Sequence, residues 1–325
     1  MTLPGRPRPA TRAIAALRPW ALALTLTAAS AAAPATGSPA ASVTANKPPP
    51  SAAALPSPAP ASPQQAGAED PPAPAPDMFR SMVPSAWLET QGAQAYAQVM
   101  GAATRAHRLE PAGNARVVQA REILQRLVPY ALKWNDRARN WKWEVNLVRS
   151  RDINAICLPG GRIAIDTGML ERLKLNNDET ALLMSHLIAH ALREHARAHI
   201  GEQQTTAHDD GASSGRADTV TEQWSTADVA AQLIAMRYGT SDETEADVIG
   251  ADIASRAGFD PRAGLVLWQK FDWAARRRRQ PFTFAHPVNA KRLADLKKRQ
   301  KDMLPLYAKA KKTTVGRLPP YRPGR

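Results

Sequence analysis

The chain has 325 residues and a formal net charge of +14, from 43 Lys+Arg against 29 Asp+Glu. Hydrophobic residues make up 44%, enough to bury a core, which excludes a wholly disordered chain. The single cysteine, Cys157, excludes an internal disulfide framework and a cysteine-built zinc site.

In chain order, Arg6, Arg8, Arg12 and Arg18 precede an apolar run from Trp20 to Ala33, and Ala-x-Ala patterns follow near Ala29–Ala35. A basic stretch, a short apolar stretch and small residues together predict a secretory signal peptide over residues 1–33. The run of about 14 residues is short of the ~20 that span a bilayer as a helix, so an uncleaved anchor is the second reading. With no cysteine near the cleavage zone a lipoprotein anchor is excluded. Removing this segment takes four positive charges away. Residues 34–76 hold 13 of the 28 prolines, with alanine and serine between them, and predict a disordered, extended linker. The folded domain is therefore expected over residues 77–312, with a basic tail at 313–325.

Within that domain, Val117, Val118, Ile123, Leu124, Leu127, Val128 and Leu132 recur at helical spacing, and Pro129 is placed to kink or split that helix. Trp143–Val148 alternates as a half-buried strand does, and Asn154–Leu158 and Arg162–Asp166 flank a Pro159-Gly160-Gly161 turn. Most of the rest reads as helix. Gly201–Asp218 is polar with clustered glycine and serine, and predicts a mobile surface loop.

The segment Thr180–His195 carries the chemistry. His186 and His190 are four residues apart, hence 40° apart on one helix face, so their ring nitrogens can converge on one ion. On one continuous helix His195 and His199 fall 180° and 220° round from His186, which makes them surface or packing residues. Glu243 and Asp247 repeat the four-residue spacing on a later helix. A carboxylate is a natural third zinc ligand, and a second one a turn along can fix the tautomer of a liganding histidine. Asp242 and Glu245 are assigned to an acidic first turn that favours the helix dipole.

These motifs resemble the HtpX/CAAX-prenyl-endopeptidase family of gluzincin zinc metallopeptidases, in particular its soluble periplasmic branch. That family carries His-Glu-x-x-His on one helix and Glu-x-x-x-Asp on a later one. It also has an Asn-Ala-x-x-Leu-Pro-Gly-Gly segment, here Asn154–Gly161, a Thr-Gly-Leu-Leu-like segment, here Thr167–Leu170, and a late His-Pro, here His286-Pro287 with Arg292 following. The match spans about residues 115–300. The resemblance implies a predominantly helical α+β domain with a small antiparallel sheet and one Zn²⁺ per chain. Its ligands would be His186, His190 and Glu243, with Asp247 behind them. His286 would line the cleft and steady an oxyanion, and strand 162–166 would be the edge along which an extended peptide lies.

The departure is Leu187, at the position of the family's general-base glutamate. That glutamate takes a proton from the attacking water and passes it to the leaving amine; leucine can do neither, and losing a general base removes about 10²–10⁴-fold in rate. Glu194 would sit about 12 Å along a continuous helix from His186, too far to stand in. Three readings follow: an exported zinc-binding protein of this family with impaired or absent proteolysis, an active protease of envelope protein quality control with an atypical base, and a non-catalytic peptide-binding or chaperone-like module. The expected partner is extended or misfolded polypeptide. Arg276–Arg279 and the basic tail come with no nucleic-acid motif, so nucleic acid is not expected, and a solvated face or contact with an anionic membrane is. Trp268 and Trp273 are expected as helix core, and Cys157 as a small buried hydrophobe.

Overall fold

The computed structural model describes residues 76–209, 226–277, 282 and 285–324. The signal segment and all of the linker but Pro76 lie outside the described residues, as do Asp210–Asp218 of the expected loop and Arg278 and Arg279 of the basic run. Helices α1 (Pro76–Met82), α2 (Ser85–Arg105) and α3 (Ala115–Ala131) precede strands β1 (Glu144–Val148), β2 (Ala155–Leu158) and β3 (Arg162–Asp166). Then come α4 (Thr167–Arg172), α5 (Asn177–Leu192), α6 (His195–Asp209), α7 (Thr226–Ile234), α8 (Thr240–Arg256), α9 (Arg262–Arg277) and α10 (Ala290–Ala310). This is the expected predominantly helical α+β architecture. Among the described residues no helix is long and apolar enough to cross a membrane.

The sheet is mixed rather than purely antiparallel, in the order β1-β3-β2. Gly160 and Gly161 take φ of 89° and 84°, conformations open to glycine, and reverse the chain so that β2 pairs antiparallel with β3. The chain also reverses between β1 and β2, so β1, on the far side of β3, runs parallel to it. β3 is therefore the central strand, and the expected peptide-binding edge cannot be 162–166; the edges are β1 and β2. Alternation along β3 sends Ile163 and Ile165 into one apolar cluster, with α3, α5, α8 and α9. Ala164 enters a second, with α2, α6 and α7.

α3 runs through Pro129 and tightens into a 3₁₀ turn at Leu132–Trp134, so the proline lies in the last helical turn rather than splitting the helix. α6 continues to Asp209, so Gly201–Asp209 is helix and not loop. Gly201 is there for close approach: a Cβ would lie 2.1 Å from the Phe79 carbonyl oxygen of α1. Trp268 is core as expected, whereas Trp273 is 52% exposed; Arg277 lies 3.8 Å over its ring, and Arg276 pairs with Asp272 at 2.9 Å. Cys157 is partly buried against the apolar cluster, and burial pushes its thiol up to about 12.

α5 is buried along nearly its whole length, as a helix apolar all round must be. Its N-terminus is fixed by a capping box in which the Asn176 side chain accepts from Glu179 N–H and Glu179 accepts from Asn176 N–H. Glu179 is fully buried and is met by Lys270 Nζ at 2.7 Å, Tyr321 OH at 3.2 Å and Gly324 N–H at 3.2 Å. Residues 318–324, set apart by composition as part of a basic tail, thus strap the start of α5. α8 crosses α5 at Gly250, where a Cβ would lie 2.8 Å from His186 N and 2.9 Å from its Cα. That contact sets how deeply the two motif helices approach.

Gly250→Ala is expected to wedge α8 off α5 and destabilise the fold by about 1–3 kcal/mol, read as a fall in the urea midpoint. Truncation before Leu318 leaves buried Glu179 without two of its donors and is expected to cost a further ~1–3 kcal/mol on its own, by the same measurement.

Candidate metal centre

His186 projects from the second half of α5 and His190 from its last turn, Glu243 and Asp247 from the first turns of α8, and His286 from the segment before α10. Their order on α8 follows from the helix period: Glu243 and Asp247 face α5, while Asp242 and Glu245 point elsewhere. His286 is held by its backbone, which donates to the Phe282 carbonyl at 2.8 Å, and by stacking on Phe282 with centroids 4.4 Å apart.

Four ligand atoms converge. His190 Nε2 is 3.1 Å from His186 Nε2, which is 3.2 Å from His286 Nδ1, which is 2.8 Å from Glu243 Oε1. Glu243 Oε1 is in turn 3.2 Å from His190 Nε2. Among the described residues this is the group of His, Cys, Asp and Glu side chains that could hold a metal ion. All four side chains are 3% exposed or less. His286 is thus one of the four convergent side chains that could hold an ion.

The donor set fits a zinc ion. Bonds of about 2.0–2.1 Å in a tetrahedron place ligand atoms about 3.3 Å apart; the four neighbouring separations are 2.8–3.2 Å and all four atoms lie within 4.8 Å of one another. The protonation states fit as well. Burial, above all, lowers the basicity of His186 and, more strongly, of His190, which keeps them as neutral imidazoles with lone pairs to offer. Burial by itself would raise Glu243, but the surrounding histidines outweigh it and hold the carboxyl well below the usual range.

Around the cluster the charges are compensated. Asp247 Oδ1 lies 3.0 Å from His186 Nδ1, where it can fix the tautomer that leaves Nε2 free. Arg292, in the first turn of α10, donates to both oxygens of Asp247 at 2.6 and 2.8 Å, and its Nη1 is 2.5 Å from Glu243 Oε2. Its guanidinium lies 3.7 Å over the Trp268 ring. Burial opposes ionisation of Asp247, and the Arg292 charge overcomes it, keeping Asp247 below its ordinary range.

Leu187 is 2% exposed and packs in the apolar cluster, so this position brings no proton-transferring group to the centre. Glu194 pairs with Arg197 at 2.7 Å and, with His190, lines a small cavity beside the cluster. Two cavities of about 20 Å³ touch the cluster, one lined by His186, Asp247 and Trp268, the other by His190, Cys157, Pro159 and Tyr238. Each holds about one water and neither a peptide. Tyr238 stacks on His190 at 3.9 Å between centroids. Edge strand β2, through Cys157, and the turn after it, through Pro159, lie beside this second cavity.

Residues that sequence reasoning set aside are also present. α5 ends at Leu192 and α6 starts at His195, so the continuous-helix angles for His195 and His199 do not apply. His195 is 1% exposed and contacts His190, while His199 Nε2 is 2.7 Å from Asp242 Oδ2. Asp242 and Glu245, assigned to a helix-dipole role, are the carboxylates these histidines meet. The readable signal was the pairing of His195-x-x-x-His199 with Asp242-x-x-Glu245; the helix break that brings them together has no glycine or proline to announce it.

Residues 117–300 match Peptidase family M48, and that span holds every residue of the centre. The chain is similar to the mitochondrial metalloendopeptidase OMA1 of Schizosaccharomyces pombe, 26% identical over 209 residues, 61% of this chain and 57% of that protein. It is 30% identical over 151 residues to the mitochondrial metalloendopeptidase OMA1 of Bos taurus, covering 41% of this chain and 27% of that one. With the beta-barrel assembly-enhancing protease of Escherichia coli strain K12 it shares 28% identity over 174 residues, 50% and 36% of the two chains. The match thus spans little more than half of these relatives at most. With more than half of its own length matching the family, the chain belongs to Peptidase family M48.

Proposed function

We propose that this chain is an exported, zinc-binding member of the family in which peptide-bond hydrolysis is impaired or absent. The observation that carries the reading is Leu187, which follows the first histidine of the convergent set and packs in apolar core where a general base is required. A zinc ion held by His186, His190 and Glu243 would polarise a scissile carbonyl and acidify an attacking water. The chain's own contribution stops short of the rest: it supplies ligands and compensates their charge, but no side chain at Leu187 can receive the proton or return it to the leaving amine. His286 supports the same reading, because four protein ligands are typical of structural zinc sites whereas catalytic sites keep one position open.

A second reading draws on β2. It is an edge strand beside the cavity under His190 and Tyr238, and an extended polypeptide could add to it by strand pairing. This is compatible with the first: a peptide-binding module with zinc as a structural clip. Export to the periplasm rests on the signal-like composition of residues 1–33, and peripheral contact with anionic membrane on Trp273 with Arg276 and Arg277.

Metal analysis of purified protein is expected to return about one zinc per chain, removed by a strong chelator with a fall in thermal stability. Casein cleavage by the wild type is expected to be ~10²–10⁴-fold below that of zinc-loaded Leu187→Glu. Equal, chelator-sensitive cleavage by both would sink the inactive reading, and absence of zinc from both would sink the site. Since a glutamate at 187 enters apolar core, the variant's circular dichroism and zinc content are to be matched to wild type before rates are compared.

A further inference from the structure

His195 is a buried imidazole that the ligand set does not use. Its Nδ1 is 2.9 Å from His190 Nδ1, and its Nε2 is 2.8 Å from Glu245 Oε2. Glu245 Oε1 accepts from Arg193 Nε at 2.7 Å. Two ring nitrogens at that distance share one proton, and its owner can be assigned. His190 directs Nε2 into the ligand cluster, so its proton is on Nδ1 and is donated to His195 Nδ1. His195 then carries its own proton on Nε2 and donates it to Glu245. Each donor in this chain finds one acceptor, with none left over.

The contact depends on a local departure from helix. On an unbroken α5, His195 would lie 140° round and about 7.5 Å along from His190, out of reach. The break at Arg193–Glu194 prevents that. Glu194 takes φ of 53°, a left-handed conformation that non-glycine residues adopt at a cost. The turn sends His195 back onto His190, and the Glu194–Arg197 pair closes it.

We propose that His195 and Glu245 are positioning residues of the metal centre, which fix the tautomer and ring orientation of His190. His186 meets a carboxylate, Asp247, directly; His190 meets one through an intervening imidazole. Glu245 is met by His195 at 2.8 Å and by Arg193 at 2.7 Å, so the chain ends on a paired carboxylate. Outer partners of this kind typically contribute 10–100-fold to metal affinity. The inference rests on the reading of His190 as a metal ligand.

The test is zinc affinity at fixed pH, by competition with a chromophoric chelator, for wild type, His195→Phe, His195→Asn and Glu245→Ala. Long-range ¹H–¹⁵N spectra of the His190 ring in the zinc-loaded proteins accompany it. His195→Phe is expected to weaken zinc binding about 10–100-fold and to lose the single Nδ1–H tautomer. His195→Asn, whose side-chain oxygen replaces the Nδ1 acceptor, is expected to recover most of both. Glu245→Ala, at a half-exposed position that leaves the core packing in place, is expected to weaken binding several-fold even if His195→Phe fails to fold. Wild-type affinity and tautomer in both His195→Phe and Glu245→Ala would overturn the proposal, as would an Asn variant as weak as the Phe variant, which would point to packing. Wild type that binds no zinc would overturn the ligand reading and this one with it, an outcome distinct from a wild type that binds while all variants match it.

Discussion

Two ionised carboxylates, Glu243 and Asp247, are buried side by side on α8, and the surrounding structure serves to keep them charged. Burying an unpaired carboxylate costs several kcal/mol, so the fold brings a cation and hydrogen-bond donors to the same place. Arg292 spans both carboxylates and rests on Trp268, itself held by Phe271 and Phe282. The aromatic stack that supports Arg292 also supports His286 through Phe282. Core packing and site electrostatics therefore share the same side chains, and neither could be altered alone. The approach of α5 to α8 at Gly250 completes the arrangement by letting the imidazoles reach the carboxylates.

Much of this was legible in the sequence wherever a local rule was strong. Period-3.6 spacing marked α3, alternation and the Pro159-Gly160-Gly161 turn marked the strands, and the two i,i+4 pairs marked the faces that meet. What was not legible depended on tertiary contact. Gly201 reads as a loop signal among polar neighbours but packs against the α1 backbone. Sheet order is set by where β1 docks, which no local pattern records, so the central place of β3 is not readable from its own residues. His286 stands alone in the sequence, and only its place beside Phe282 brings its Nδ1 into the cluster. The turn at Glu194 uses an ordinary residue in an uncommon conformation, and that hid His195.

Leu187 combines two demands. A helix buried on every side favours apolar residues at each position, and leucine meets that demand well; a hydrolytic site needs a polar group at that one position. Here the leucine serves the packing. Around it, Arg292 pairs with both Glu243 and Asp247, so the buried carboxylates of the centre are met by a cation.

The ligand atoms come from segments as far apart as His186 and His286, 100 residues along the chain. An ion shared by them would tie α5, α8 and the approach to α10 together as a cross-link does. By closing long loops it would remove far more freedom from the unfolded chain than from the folded one. A centre of this kind would have a use even where no bond is cut, because its ligands would fasten the architecture.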